Sequence, residues 1–139
     1  MELDTALDFI RSRQNGVLTT QKRDGRPQLS NITFSLGDDG IVRISVTDGR
    51  AKTANIRRDN RVSLYVSRED FWAYVVIEAD AELSPVSSAP DDATVDELVE
   101  YYRAAAGEHP DWDEYRSVMV SEGRRVVRLR PTRAYGMLG

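Results

Sequence analysis

At 139 residues, with 40% hydrophobic and 30% charged side chains and a net charge of −4, the chain suits one water-soluble domain with a buried core. It has no cysteine and one histidine, His109, which excludes disulfides, thiolate nucleophiles, Cys-based zinc or iron–sulfur sites and His-rich metal motifs. No apolar run approaches the ~18 residues of a membrane-spanning helix, and "MELDTALDFIRSRQ" lacks the basic start and long apolar stretch of a signal peptide, so a cytoplasmic location is expected.

In chain order, Leu3, Ala6, Leu7 and Ile10 have the i, i+3, i+4, i+7 spacing of a short amphipathic helix. "GVLTTQK" (16–22) reads as a strand and "RDGRP" as its Asp-Gly hairpin turn. "PQLSNITFSL" (27–36) is a second strand ended by "GDDG". A third, "IVRISVT" (41–47), alternates Val42, Ile44 and Val46 with Arg43, Ser45 and Thr47. "RAKTANIRRD" predicts a short helix and "RVSLYVS" (61–67) a fourth strand. The fifth, 72–83, puts Ala73, Val75, Ile77, Ala79 and Ala81 on one face and Trp72, Tyr74 and Val76 on the other. A helix capped near Asp91 or Asp92 follows, marked by Val95, Leu98, Val99, Tyr102 and Ala106. A second helix holds Trp112, Tyr115 and Met119, and "RRVVRLRPTRAYGML" ends the chain as one or two strands broken at Pro131. Hairpin-linked strands with a helical pair and a returning strand predict an antiparallel α+β barrel in a single domain, 1–139.

Charge is unevenly placed. Residues 91–114 carry nine acids against one base, Arg103, so the rest of the chain is net positive. Within it, "DGRAKTANIRRDNR" (48–61) packs Arg50, Lys52, Arg57, Arg58 and Arg61 against Asp48 and Asp59. Arg57 and Arg58 suit the negative end of a helix dipole, whereas Arg50 and Lys52 fall at its positive end. Cations there are either a solvated face or a device for holding an anion, because helix starts bind phosphate well. The acidic block and the lack of interleaved aromatics argue against nucleic acid as partner. In the second strand the apolar phase slips across Ser30-Asn31, which reads as a bulge or opening presenting Gln28, Ser30 and Asn31, or as an edge strand with a solvated middle. Trp72 and Tyr74 on one face suit a flat ligand, a subunit interface or plain core. A Ser-His-Asp triad would need His109, which sits in "GEHPDW" and reads as a surface turn residue. No G-x-G-x-x-G or P-loop occurs.

"GVLTTQKRDGRPQLSNITF", "DGRAKTANIRRDNRVSLYV" and "FWAYVVIEADAEL" together resemble the split β-barrel flavin and deazaflavin oxidoreductases, the pyridoxamine-phosphate-oxidase-like superfamily. More narrowly, "GRPQLSN" followed by "RAKTANIRRD" is similar to the subgroup that binds the deazaflavin coenzyme F420. The resemblance implies a homodimer of six-stranded split barrels with cofactor sites between subunits, and hydride transfer from the reduced cofactor to an electron-poor acceptor. It implies that Arg50 and Lys52 grip the cofactor phosphate, with Ala51, Thr53 and Asn55 of the same helix and Ser45 below. Gln28, Ser30 and Asn31 would lie beside the ring system, and Trp72 and Tyr74 would come from the other subunit. An FMN-binding oxidase or reductase of the same fold, or a non-catalytic F420-binding protein, are the alternatives.

Overall fold

The structure, a computed structural model, describes residues 1–139. The elements run α1 (Leu3–Ile10), β1 (Asn15–Gln21), β2 (Pro27–Thr33), β3 (Ser35–Leu36), β4 (Val42–Thr47), α2 (Ala51–Arg58), β5 (Arg61–Ser67), β6 (Tyr74–Leu83), α3 (Ala93–Ala106), α4 (Trp112–Ser121) and β7 (Arg124–Met137). All strands join one antiparallel sheet in the order β2-β1-β5-β6-β7-β4-β3. Its two edge strands, β2 and β3, are consecutive pieces of chain separated only by Phe34, so the sheet must curl until its edges approach each other. The result is a barrel split between β2 and β4, an α+β architecture with seven strands rather than the expected six. The extra strand arises because the stretch 27–36 changes partner at Phe34, whose side chain is fully buried: its N–H makes a last bond in register with β1, to the Gln14 carbonyl at 2.7 Å, and Ser35–Leu36 then pair with β4.

The interior follows the period-2 pattern. Val42, Ile44 and Val46 of β4 and Val75, Ile77, Ala79 and Ala81 of β6 all point into one core with Leu18, Leu64 and Val127, and α1 contributes Ala6 and Ile10. β1 and β2 pair without interruption from Asn15↔Thr33 to Gln21↔Pro27, so of the two readings of Ser30-Asn31 the structure shows the edge strand and no bulge. Leu29 simply lies on the outer face of an edge strand, exposed. β7 is one strand, and Pro131 sits at an irregularity opposite Glu78/Ala79, where its missing N–H costs no ladder bond. Gly136, paired with Val75, has φ 154°. A Cβ there would collide with the Tyr74 carbonyl, so β6 and β7 approach closely only because this position is bare.

α3 and α4 form a hairpin over the outer face of β7, sharing a second core of Val95, Leu98, Val99, Tyr115, Met119 and Val126. Asp92 caps α3, accepting from the Val95 N–H at 2.8 Å, and Asp111 caps α4, accepting from the Glu114 N–H at 3.1 Å. Glu97 locks the hairpin to the sheet, accepting from Arg43 Nε (2.9 Å) and from Arg128 Nε (2.8 Å) and Nη2 (2.6 Å). His109 is not a free surface residue. Its ring is half-buried among Tyr102, Trp112 and Tyr115 at centroid distances of 5.3–5.7 Å, and its Nδ1 accepts from the Asp111 N–H at 2.9 Å. No helix is long and apolar enough to cross a membrane.

Candidate functional site

β4 pairs with β3 and β7 but not with β2, and the split this leaves opens into a cavity of about 420 Å³. Asn31, Ile32 and Thr33 of β2 form one wall and residues 44–47 of β4 the other; Tyr101, Tyr102, Tyr115 and Met119 come from the helical hairpin. Arg50 and Lys52, at the start of α2, and Arg124, at the start of β7, bring three cations to it.

Local chemistry fixes that corner. Arg50 is the N-cap of α2 and Lys52 lies in its first turn. Thr53 is fully buried and its hydroxyl donates to the Thr47 carbonyl at 2.9 Å, pinning the helix start to the end of β4. No side chain caps the helix, so the amides of the first turn have no acceptor from a neighbouring side chain. The cations of residues 48–61 then sort themselves by partner. Arg57 pairs with Asp48 at 2.9 Å and Arg61 with Asp59 at 2.8 Å. Arg58 donates to the Gln21 carbonyl and to Asn55 Oδ1. Asp48 is also taken by Arg125 at 2.8 Å, which is the main reason its carboxyl titrates below the usual range. Arg50 and Lys52 are left with no carboxylate. Burial, and after it the charges of Arg50 and Arg124, push the Lys52 ammonium below its ordinary value. A positive group held where it is disfavoured is relieved by an incoming anion. Arg124, aimed by Glu122 at 3.0 Å, also approaches Ser45 Oγ at 3.5 Å. Tyr101 donates to the Thr33 carbonyl at 2.8 Å, tying the hairpin across the split.

Of the residues singled out from sequence, Asn31, Ser45, Arg50 and Lys52 line this cavity, and Ala51 and Thr53 belong to the helix turn beside it. Gln28 and Ser30 do not. They pair with Thr20 and Leu18 on the inward side of β2, the face opposite to Asn31. The Asn55 side chain is also turned away, donating to Thr20 Oγ1 at 3.1 Å. Trp72 does not begin β6, which starts at Tyr74; it lies in the preceding turn, 74% exposed, because Asp70 accepts the Trp72 N–H at 3.0 Å and holds the chain out of the ladder. Tyr74 is on the outer face of the sheet against Tyr65, 5.6 Å between centroids. Neither aromatic reaches the cationic cavity of its own chain. Arg124 and the hairpin tyrosines were missed in the sequence, since only the Thr47↔Arg124 register brings Arg124 beside Ser45.

A curled antiparallel sheet split between its second and fourth strands, with an unpaired cationic corner at the opening, defines the split-barrel class. The chain belongs to the pyridoxamine 5'-phosphate oxidase family, whose sequence model matches residues 3–138. Solved structures share the fold at low identity. A conserved hypothetical protein from Mycobacterium tuberculosis superposes with a TM-score of 0.74 at 23% identity, over 99% of this chain and 85% of that one. An F420 reductase gives 0.65 at 24%, over 93% and 94%. A provisionally named pyridoxamine 5'-phosphate oxidase from Listeria innocua gives 0.68 at 20%, over 96% and 95%.

Proposed function

We propose that this chain is an oxidoreductase that binds the deazaflavin coenzyme F420 and reduces an electron-poor organic acceptor. The observation that carries the reading is the pair Arg50 and Lys52, free of carboxylate partners at the uncapped start of α2. Those groups fit a phosphate: the Arg fork and Lys point charge supply charge-assisted donors, and the helix start adds amides. Ser45 and Arg124 extend the same donor set, while Asn31 offers an amide to the cofactor's ring system or ribityl chain. When bound and reduced, such a cofactor supplies the hydride, and the protein needs no nucleophile of its own. An absence of cysteine and a histidine committed to an aromatic cluster are compatible with that division of labour. The family membership and the F420 reductase of the same fold support the choice of cofactor class.

The reading includes a homodimer. Leu29, Tyr135 and Met137 are large apolar side chains exposed on the sheet face that the helical hairpin leaves uncovered, with Trp72 and Phe71 at its rim. Trp72 and Tyr74, remote from their own cationic cavity, would serve the partner's cofactor. Fluorescence titration of the purified protein with F420 and with FMN tests the proposal. Tight F420 and weak FMN binding are expected, followed by turnover of reduced F420 with an acceptor. Preference for FMN would move the chemistry to flavin, binding without turnover would leave a cofactor carrier, and binding of neither would refute the phosphate corner.

A further inference from the structure

α3 grips both banks of the split with one face, on which Glu97 and Tyr101 lie one helical turn apart. Glu97 holds the β4 and β7 bank, accepting from Arg43 and twice from Arg128 at 2.6–2.9 Å. α4 steadies the same turn through a buried bond from the Tyr115 hydroxyl to the Leu98 carbonyl at 2.9 Å. Tyr101 alone reaches the opposite bank, donating to the Thr33 carbonyl at the end of β2 at 2.8 Å. β2 has no charged residue and its ladder partner is β1, so this is the one hydrogen bond that spans the split from β2. Bonds to charged groups hold more strongly than neutral ones, and the strap is therefore firm at Glu97 and weak at Tyr101.

The same side chain is a partition. Tyr101 lines the first cavity and also a second one of about 340 Å³, which lies between α3 and the β3–β4 hairpin, and no other residue lines both. The two spaces differ in charge. Arg50, Lys52 and Arg124 bring cations to the first, whereas Asp96, Glu97 and Glu100 line the second with a single base, Arg43. Ser35, Gly37 and Ala104 complete much of its wall with small side chains. The ring thus has room to retreat on the side that an anionic ligand avoids.

We infer that Tyr101 is the latch of a gate on the cationic cavity, and that it controls how fast a phosphate-bearing ligand enters and leaves. This rests on the reading that the first cavity holds the cofactor phosphate. In the closed form the Thr33 bond is made and α3 straps β2 to the β4 and β7 bank. In the open form the hydroxyl releases Thr33, the ring turns into the second cavity, and the edge of β2 is free to move away from β4. Opening breaks one neutral hydrogen bond and leaves the Glu97 anchors intact, so the ring moves while α3 stays in place. The latch acts through the width of the split, which makes Tyr101 a positioning residue without a role in the chemistry.

Two measurements test the gate: methyl relaxation dispersion of the free protein at Ile32 and Ile44, which line the first cavity from opposite banks, and stopped-flow binding of F420. Dispersion reads opening on the μs–ms scale. Tyr101→Phe keeps the ring and removes the bond, so the open population is expected to rise roughly two- to twelvefold. Dispersion at both methyls should grow, and the association and dissociation rates of F420 should rise together, leaving Kd within threefold. Ala104→Leu, on the exposed side of α3 and in a good helix former, fills the space into which the ring retreats. It is expected to flatten the dispersion and slow both rates. Dispersion unchanged by both variants overturns the inference. So does a Tyr101→Phe loss of affinity carried by dissociation alone, which would make the hydroxyl a direct contact to the ligand. Opposite dispersion changes in the two variants of a protein that takes up no F420 would keep the gate and remove only the cofactor reading.

Discussion

Replacing Lys52 by alanine removes one of two cations at the start of α2 that have no carboxylate partner. A hydrogen bond to a charged group contributes about 1.5–3 kcal/mol, and tenfold in Kd corresponds to about 1.4 kcal/mol. Lys52→Ala is therefore expected to raise the Kd for F420 by roughly 10- to 150-fold, as read by titration of cofactor fluorescence. The structure adds a second, opposite effect. In the free protein Lys52 is disfavoured by burial and by the neighbouring Arg50 and Arg124 charges, so its removal should leave the melting temperature unchanged or raised. The pH dependence has a defined sign. On the proposed reading a phosphate would pair with the protonated amine, whose pKa in the free protein lies below the ordinary 10.5. Affinity should therefore start to fall on the alkaline side at lower pH than for an ordinary lysine, while the free protein gains stability as the charge is lost. Arg57→Ala, on the same helix but paired with Asp48, should leave Kd nearly unchanged. Affinity within twofold of wild type for Lys52→Ala would refute the phosphate assignment, and equal losses for Lys52 and Arg57 would show a diffuse field in place of a contact.

Three further outcomes are expected. Glu97→Gln should destabilise the protein by about 1–3 kcal/mol in urea titration, because Arg128 and Arg43 share that carboxylate. They hold its pKa below the ordinary 4.5, so its contribution is present above that pH and lost as pH falls below it, and the variant's stability should vary less with pH there. Gly136→Ala should cost about 2–4 kcal/mol by thermal unfolding, since its Cβ would press on Val75 Cα at 2.8 Å and on the Tyr74 carbonyl; a loss below about 0.5 kcal/mol would mean that β6 and β7 can separate freely. Light scattering should give twice the 15.7 kDa of one chain, and Tyr135→Asp, on the exposed sheet face, should shift it to the monomer. A wild-type monomer would undo the two-subunit part of the functional reading.

The elements legible in the sequence are those whose pattern is local. The alternation of Val42, Ile44 and Val46 predicted β4 and its inward face, and Asp92 is the cap of α3. Features decided by distant pairing were not legible. Pro131 looked like a strand break and is instead accommodated where β7 slips register against β6. Trp72 looked like the first residue of a strand, but the side chain of Asp70 bonds its N–H and delays β6 until Tyr74. In the candidate site, Arg50, Lys52 and Ser45 were found because a cationic helix start directly after a strand is a local signal. Gln28, Ser30 and Asn31 could not all serve one side of the sheet, and period-2 alternation alone separates Asn31 from the other two. Arg124 carried no local signal at all, because its place depends on a pairing across 77 positions of sequence, Thr47↔Arg124.

The same sorting of charges explains how an acidic chain keeps a positive cavity. The nine acids of residues 91–114 would cancel the corner if they faced it, since α3 and α4 form part of its wall. They are directed elsewhere. Glu97 is held by Arg43 and Arg128, Asp96 by Arg116, and Glu100 and Glu108 by Arg103. Asp92 and Asp111 are spent on helix caps, and Asp91, Asp113 and Glu114 are exposed. What the hairpin turns toward the cavity is Tyr101, Tyr102, Tyr115 and Met119, all uncharged. Beyond roughly 10 Å, salt screens exposed charges from one another. The acidic exterior therefore weakens the corner little at contact distance, yet it still opposes a long polyanion laid across the surface. A small phosphate-bearing molecule can meet Arg50, Lys52 and Arg124 where a nucleic acid would also have to lie against the acids of α3 and α4. The net charge of −4 and a cationic corner are thus compatible because every carboxylate able to neutralise Arg50 or Lys52 already has a partner or points to solvent.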